Sequence, residues 1–260
     1  MEWQIATQTH RGNVRRFNED ALLVDKQFPL LMIADGMGGH EAGDVASRML
    51  AEELGALELP PDLYDALARV QASIQHSNGS MIEYGQRRLN GQTIGSTVVA
   101  MLADGDTGAC VGAGDSRLYR ARANRLEQLT RDHSYVAELV RAGQLSPEDA
   151  AGHPSSNVIT RAVGAALELR LDSDTFDIRI GDTFLLCSDG LYNEVSEEEL
   201  LEAMLARDVW QSSHQLLNLC LGRAARDNVS FIIGRPRPAA EDDLDATLTY
   251  YPGSEDDTLP

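Results

Sequence analysis

The chain has 260 residues, 43% of them hydrophobic, and a formal net charge of −19 at pH 7. That length and apolar content support one large core, so one globular domain is expected over residues 1–236. The stretch from Pro238 to Pro260 holds seven acids and no Lys or Arg, and taking those seven charges from the total leaves −12 on the rest. A body of that sign repels nucleic acid, whose binding depends on Lys and Arg displacing counterions, and attracts divalent cations.

Cys110, Cys187 and Cys220 are odd in number, lack metal-site spacing and read as buried structural thiols. No basic stretch leads into an apolar one at the N-terminus, and no apolar run approaches the roughly 18 residues of a membrane span. The reading is a soluble, cytoplasmic monomer with neither membrane nor nucleic acid as a partner.

In chain order, short apolar and β-branched runs bounded by Gly, Asp or Asn predict strands at 20–25, 29–35, 95–104, 108–115, 116–122, 182–189 and 228–234. Segments of helical period lie at 41–57, 61–88, 132–144, 196–206 and 210–225; in the second, Leu63, Leu67, Val70 and Ile74 share one face. Helices fall in pairs near the two ends and strand pairs fill the middle. This order favours an α+β layered fold with largely antiparallel sheets over a doubly wound parallel one. Trp3 and Trp210 read as core or helix-packing residues. After Gly234 the pattern stops, and 237–260, acidic and Pro-containing, reads as a disordered tail. Within it Thr247, Thr249 and Thr258 lie beside acids, as in sites modified by a kinase.

The chemistry lies where strands end. "NED" (18–20) and "RDN" (226–228) precede strands, while "ADG" (34–36), "GDS" (114–116) and "SDG" (188–190) follow them. If those ends share one rim, the carboxylates meet, and clustered carboxylates repel one another unless protons or cations compensate them. The donors are all oxygens, so Mg²⁺ or Mn²⁺ is expected, with calcium as an alternative. Two such ions about 4 Å apart activate water for in-line attack on phosphorus. In "RGNVRRFNED", Arg15 or Arg16 offers a planar guanidinium for a phosphate.

"VRRFNED", "ADGMGG", "GDSR", "CSDGL" and "RDNVS", in this order and spacing, resemble the metal-dependent Ser/Thr protein phosphatases of the PPM (type 2C) family in their bacterial single-domain form, over about residues 3–234. The resemblance implies a four-layer α/β/β/α sandwich and hydrolysis of phosphoserine or phosphothreonine on proteins by a metal-bridged hydroxide, opposing a bacterial Ser/Thr kinase. It implies two Mn²⁺ or Mg²⁺ ions in the core site and a third, weaker one. Asp35 matches the carboxylate bridging the two metals, with the Gly36 carbonyl beside it. Asp189 and Asp227 match the acids on the first metal, Glu19 the acid on the second, and Asp20 a supporting neighbour. Asp115, with Asp189, matches the third site. Arg15, not Arg16, matches the substrate-phosphate arginine, and Arg15, Asp35 and Asp189 form the implied catalytic set. Residues 133–164 fall where bacterial members carry a flap that influences substrate choice.

One departure is Met37, where many eukaryotic members have a His proposed as general acid. His40 is the loop's own candidate proton donor, beside metal-bound water. Two other readings use the same residues: a pseudophosphatase that binds phosphoproteins without cleaving them, and a metal-dependent nuclease, which the acidic body disfavours. Gly38 and Gly39 are expected to leave room for water and phosphate, so that Gly38→Val impairs turnover more than folding.

Overall fold

A computed structural model describes residues 1–25, 29–38, 42–150 and 152–239. His40 and Gly39, and the tail from 240 to 260 with Thr247, Thr249 and Thr258, lie outside the described residues. The strands are β1 (Glu2–His10), β2 (Asp20–Asp25), β3 (Leu30–Met37), β4 (Gly95–Ser96), β5 (Val98–Asp104), β6 (Thr107–Ala113), β7 (Arg117–Arg122), β8 (Arg125–Gln128), β9 (Asp172–Asp177), β10 (Thr183–Cys187) and β11 (Val229–Arg237). The helices are α1 (Ala42–Gly55), α2 (Leu63–Arg88), α3 (Tyr135–Arg141), α4 (Pro147–Ala150), α5 (Asp189–Tyr192), α6 (Glu197–Met204) and α7 (Val209–Leu221).

Two antiparallel sheets result. One has the order β1-β11-β10-β7-β8; the other runs β2-β3-β5-β6-β9, with β4 paired to β3. Successive side chains of a strand point to opposite faces, and here both faces are covered. Leu30, Met32 and Ala34 of β3 pack with α1 and α2, while Leu31 and Ile33 face the other sheet. In the second sheet Phe231 and Ile233 pack towards α6 and α7, and Ile232 joins Phe184 and Leu186 between the sheets. This is the expected four-layer α/β/β/α sandwich, and double-sided burial is why its central strands read as continuous apolar runs.

Strands β1, β8 and β9 carry no such run and are not visible as strands in the sequence. β1 alternates polar residues and is secured by full pairing with β11, from Glu2↔Arg237 to His10↔Val229. β8 is a four-residue edge strand, and β9, "DSDTFD", is an edge strand almost wholly exposed. β11 runs to Arg237, three residues beyond Gly234, because β1 pairs with that extension. Trp3 packs against Phe184, with ring centroids 5.8 Å apart. Trp210 departs from expectation: at the start of α7 it is 40% exposed.

All three cysteines are free and buried, and burial pushes the Cys110 and Cys220 thiols up to about 11 and about 12. Among the described residues no helix is long and apolar enough to cross a membrane.

Candidate metal centre

The β2–β3 ladder ends at the pair Asp20↔Asp35, and the Gly36 N–H closes it by donating to the Glu19 carbonyl at 3.1 Å. Asp189 opens the single-turn helix α5 at the end of β10, and Asp227 lies two residues before β11, the neighbour of β10. Asp115 follows β6. The topology thus delivers these acids to one rim. Glu19, Asp20, Asp35, Asp189 and Asp227 line a cleft open to solvent and are half-buried, whereas Asp115 is buried.

Burial and mutual repulsion dominate the electrostatics. Partial burial and the charges of Asp20, Asp189, Asp115 and Asp227 together hold the Asp35 carboxylate well above the ordinary carboxylate range. Burial, with Asp115, Asp227 and Asp20, pushes Asp189 up to about 7 against the opposing pull of Arg15. Asp20 rises to about 6, chiefly by burial, although Ser230 and Ser188 hydrogen-bond to it; Asp115 rises to about 6 by burial and the nearby Asp132.

Two buried carboxylate oxygens, Asp20 Oδ1 and Asp189 Oδ1, have no hydrogen-bond partner among the described residues. An orphaned buried acceptor is costly, and a hard cation among oxygen donors removes that cost, so the donor set fits Mg²⁺ or Mn²⁺. Among the described residues no three acidic, His or Cys side chains already converge on one ion position. Arg15 Nη2 holds Asp227 Oδ2 at 2.6 Å, and Asn193 Nδ2 donates to Asp189 Oδ2 at 3.2 Å.

Glycine matters most where backbones cross. A Cβ on Gly36 would meet the Gly43 carbonyl oxygen at 2.0 Å, one on Gly43 the Glu19 carboxylate at 2.7 Å, and one on Gly190 the Asn228 carbonyl oxygen at 1.9 Å. Gly38 is less crowded: its added Cβ would meet Ala42 Cβ at 3.2 Å. Its φ of +154° strains any other residue, so Gly38→Val is expected to cost fold stability as well.

Several supporting residues carry no signal of their own in the sequence. Asn228, the third residue of "RDN", accepts the Glu19 N–H at 2.8 Å and donates to the carbonyls of Arg11 and Phe17, tying the arginine loop to β11. Ser188 Oγ donates to Asp20 Oδ2 at 3.0 Å. Around Asp115 the bracing is dense. The Gly114 N–H donates to His133 Nδ1 at 3.1 Å, the Tyr192 hydroxyl donates to the Asp115 carbonyl at 3.0 Å, and Ser116 Oγ meets Thr97 Oγ1 at 2.7 Å. Thr97 Oγ1 in turn accepts the Asp35 N–H at 3.0 Å. Arg117 lies over the Tyr192 ring, its Cζ 3.6 Å from the centroid, and forks onto Asp132. The Asp115 loop is therefore wired to both the Asp35 strand and the Asp189 turn.

A cavity of about 450 Å³ lies beside this loop, lined in part by Cys110, Gly114, His133 and Asp172. Residues 133–164 leave and rejoin the body beside the same loop, through the bridges Ser134↔Ile159 and Ser96↔Val163.

A family model described as "Protein phosphatase 2C" matches residues 7–218. The chain belongs to the protein phosphatase 2C family. Its phosphatase 2C domain is of the bacterial Ser/Thr kind: it is 37% identical over 229 residues to the serine/threonine protein phosphatase PstP of Mycobacterium tuberculosis, a match covering 88% of this chain and 44% of PstP. The chain thus spans less than half the length of that relative. With the serine/threonine phosphatase Stp of Listeria innocua it shares 35% identity over 238 residues, covering 87% of this chain and 93% of Stp. The crystal structure of M. tuberculosis PstP superposes with a TM-score of 0.85 at 35% identity over 90% of this chain and 99% of that one. A structure of the PstP catalytic domain in complex with two manganese ions, also 35% identical, gives 0.81 over 90% and 97%. The phosphatase 2C fold of this chain is therefore one that accommodates divalent metal.

Proposed function

We propose that this chain dephosphorylates phosphoserine and phosphothreonine side chains of proteins, in opposition to a Ser/Thr kinase. The observation that carries the reading is the rim itself: Asp20, Asp115, Asp189 and Asp227 lie close enough to Asp35 to repel its charge, two of these acids' oxygens have no hydrogen-bond partner among the described residues, and Arg15 pairs with Asp227.

Asp35, the Gly36 carbonyl, Asp189 and Asp227 would hold Mn²⁺ or Mg²⁺, with Glu19 completing the core pair, Asp20 supporting it, and Asp115 with Asp189 serving a third ion. Bound there, divalent cations supply Lewis-acid charge and a water acidic enough to act as a nucleophile at neutral pH.

The chain's own residues do the rest. Arg15 is half-exposed, and its pairing with Asp227 aims the guanidinium into the cleft, where it binds two phosphate oxygens through parallel N–H donors. Its Coulombic neighbours Asp227, Glu19 and Asp189 fix that aim. Ser188 and Asn228 hold Asp20 and the Glu19 backbone in place, and Thr97 holds the Asp35 backbone, so the donors need little reorganisation. Water attacks phosphorus as the bond to the serine or threonine oxygen breaks, and the departing oxygen takes a proton from solvent or from His40. Residues 133–164 form the flap over this rim.

The test is hydrolysis of p-nitrophenyl phosphate and of a phosphothreonine peptide by the purified chain. Turnover with Mn²⁺, its abolition by EDTA and its fall by orders of magnitude in Asp189→Asn are expected. Absence of turnover on any phosphoester with Mn²⁺ present overturns the reading.

A further inference from the structure

The loop between β1 and β2 projects more than its phosphate arginine. Val14 is 67% exposed and Phe17 50% exposed, two of the most exposed large apolar side chains among the described residues. Arg16 lies over the Phe17 ring, its Cζ 5.3 Å from the centroid, and among the described residues its guanidinium meets no carboxylate. Among the described residues the Arg11 guanidinium donates only to the Arg15 carbonyl, at 3.4 Å. Arg226, next to the Asp227 that Arg15 grips, is exposed as well. The loop is not loose: the Asn13 N–H donates to the Ala225 carbonyl at 2.8 Å, its side chain donates to Leu221 and Arg223, and Asn228 holds Phe17.

On a chain of net charge −19, this is a fixed basic and apolar ledge abutting an acidic cleft. Exposed apolar side chains rimmed by arginines have the composition of an interaction surface, where aromatic residues and Arg are enriched. The net negative charge of the chain disfavours acidic peptides in general, so a basic patch is where they are steered.

We propose that Arg11, Val14, Arg16, Phe17 and Arg226 form a substrate-docking ledge that selects phosphoproteins with acidic and large apolar residues flanking the phosphorylated serine or threonine. Arg16 and Arg226 face the flanking carboxylates, and Phe17 and Val14 cover the apolar neighbour. The proposal rests on the phosphatase reading of the same site and specifies its substrate class.

The experiment uses two phosphothreonine peptides, alike except that one carries Asp and Leu flanks and the other Lys and Ser. kcat/KM is measured for each, together with their binding by fluorescence anisotropy and the turnover of p-nitrophenyl phosphate, which is too small to reach the ledge. Wild-type protein is expected to favour the acidic peptide by about tenfold, less at high salt. Arg16→Glu is expected to cut that ratio by about three- to fivefold per lost charge contact, and Phe17→Ala to weaken the acidic, Leu-containing peptide alone. Both variants keep wild-type turnover of p-nitrophenyl phosphate, which also reports that they fold. An unchanged peptide ratio in Arg16→Glu with normal p-nitrophenyl phosphate turnover overturns the ledge. So does binding of anionic lipid vesicles that Arg16→Glu abolishes while the peptide ratio stays the same. If wild-type protein turns over no phosphoester, the phosphatase reading fails, and the anisotropy ratio still decides the ledge.

Discussion

Glu19, Asp35 and Asp115 are each held by a side chain that fixes the backbone, and the Tyr192 hydroxyl shows how much rests on one such contact. It donates to the Asp115 carbonyl from the same helical turn that carries Asp189, and Arg117 pins its ring from above. Tyr192→Phe keeps the ring and removes only the donor. One neutral hydrogen bond is worth about 1 kcal/mol net, roughly a fivefold change in an equilibrium. A Mn²⁺ titration of the variant is expected to show its weakest site loosened by about that factor, with the tighter sites and the melting temperature little changed. Equal weakening of every site would mean that Tyr192 supports the whole centre rather than the Asp115 loop. The acids themselves were legible in the sequence because carboxylate beside glycine or asparagine at a strand end is a local pattern. Tyr192, Thr97, His133 and Ser188 were not, because each acts on a residue distant in sequence, and only the folded topology brings the two together.

Among the elements, α6 illustrates how an outer-layer helix is fixed to the body. Ser196 and Glu199 form a reciprocal capping box at its N-terminus, and Arg223, beyond α7, closes on Glu199 with Nη2 2.5 Å from Oε1. Arg223 holds the Glu199 carboxyl down at about 2, below its ordinary 4.5. A depressed carboxylate stabilises the fold above the unfolded pKa and loses that contribution as pH falls towards the folded one. Glu199→Gln is therefore expected to melt below wild type at pH 6 to 7, with the gap narrowing between pH 4.5 and 3. Thermal melts across that range check it, and a gap that widens towards low pH would contradict the assignment. At this scale the central strands and the long helices α1, α2 and α7 could be read from periodicity, since continuous apolar runs and helical faces follow directly from burial. β1, β8 and β9 could not: they are held by backbone pairing at sheet edges or along β11, with polar side chains that resemble loop. The single-turn helices α4 and α5 are too short to carry a period.

For the molecule as a whole, the two sheets bring five chain segments to one rim and leave there a concentration of negative charge that the fold alone does not neutralise. The four layers supply the rigidity that holds such a site: one apolar layer packs between the sheets, and another beneath the helices on each side. What the whole account rests on is that this charge is a cation site. Calorimetric titration of the metal-free chain with Mn²⁺ at neutral pH, with thermal melts of the same samples, measures that directly. Binding of at least two ions is expected, and at a hundredfold excess over Kd a bound ion stabilises the fold by about 2.7 kcal/mol. Asp35→Asn is expected to abolish the core binding and the stabilisation it brings. Without metal the variant should melt no lower than wild type, because it removes a charge that Asp20, Asp189, Asp115 and Asp227 repel. Heat-silent titration with no shift in melting, or an Asp35→Asn protein that binds Mn²⁺ as wild type does, would contradict the account.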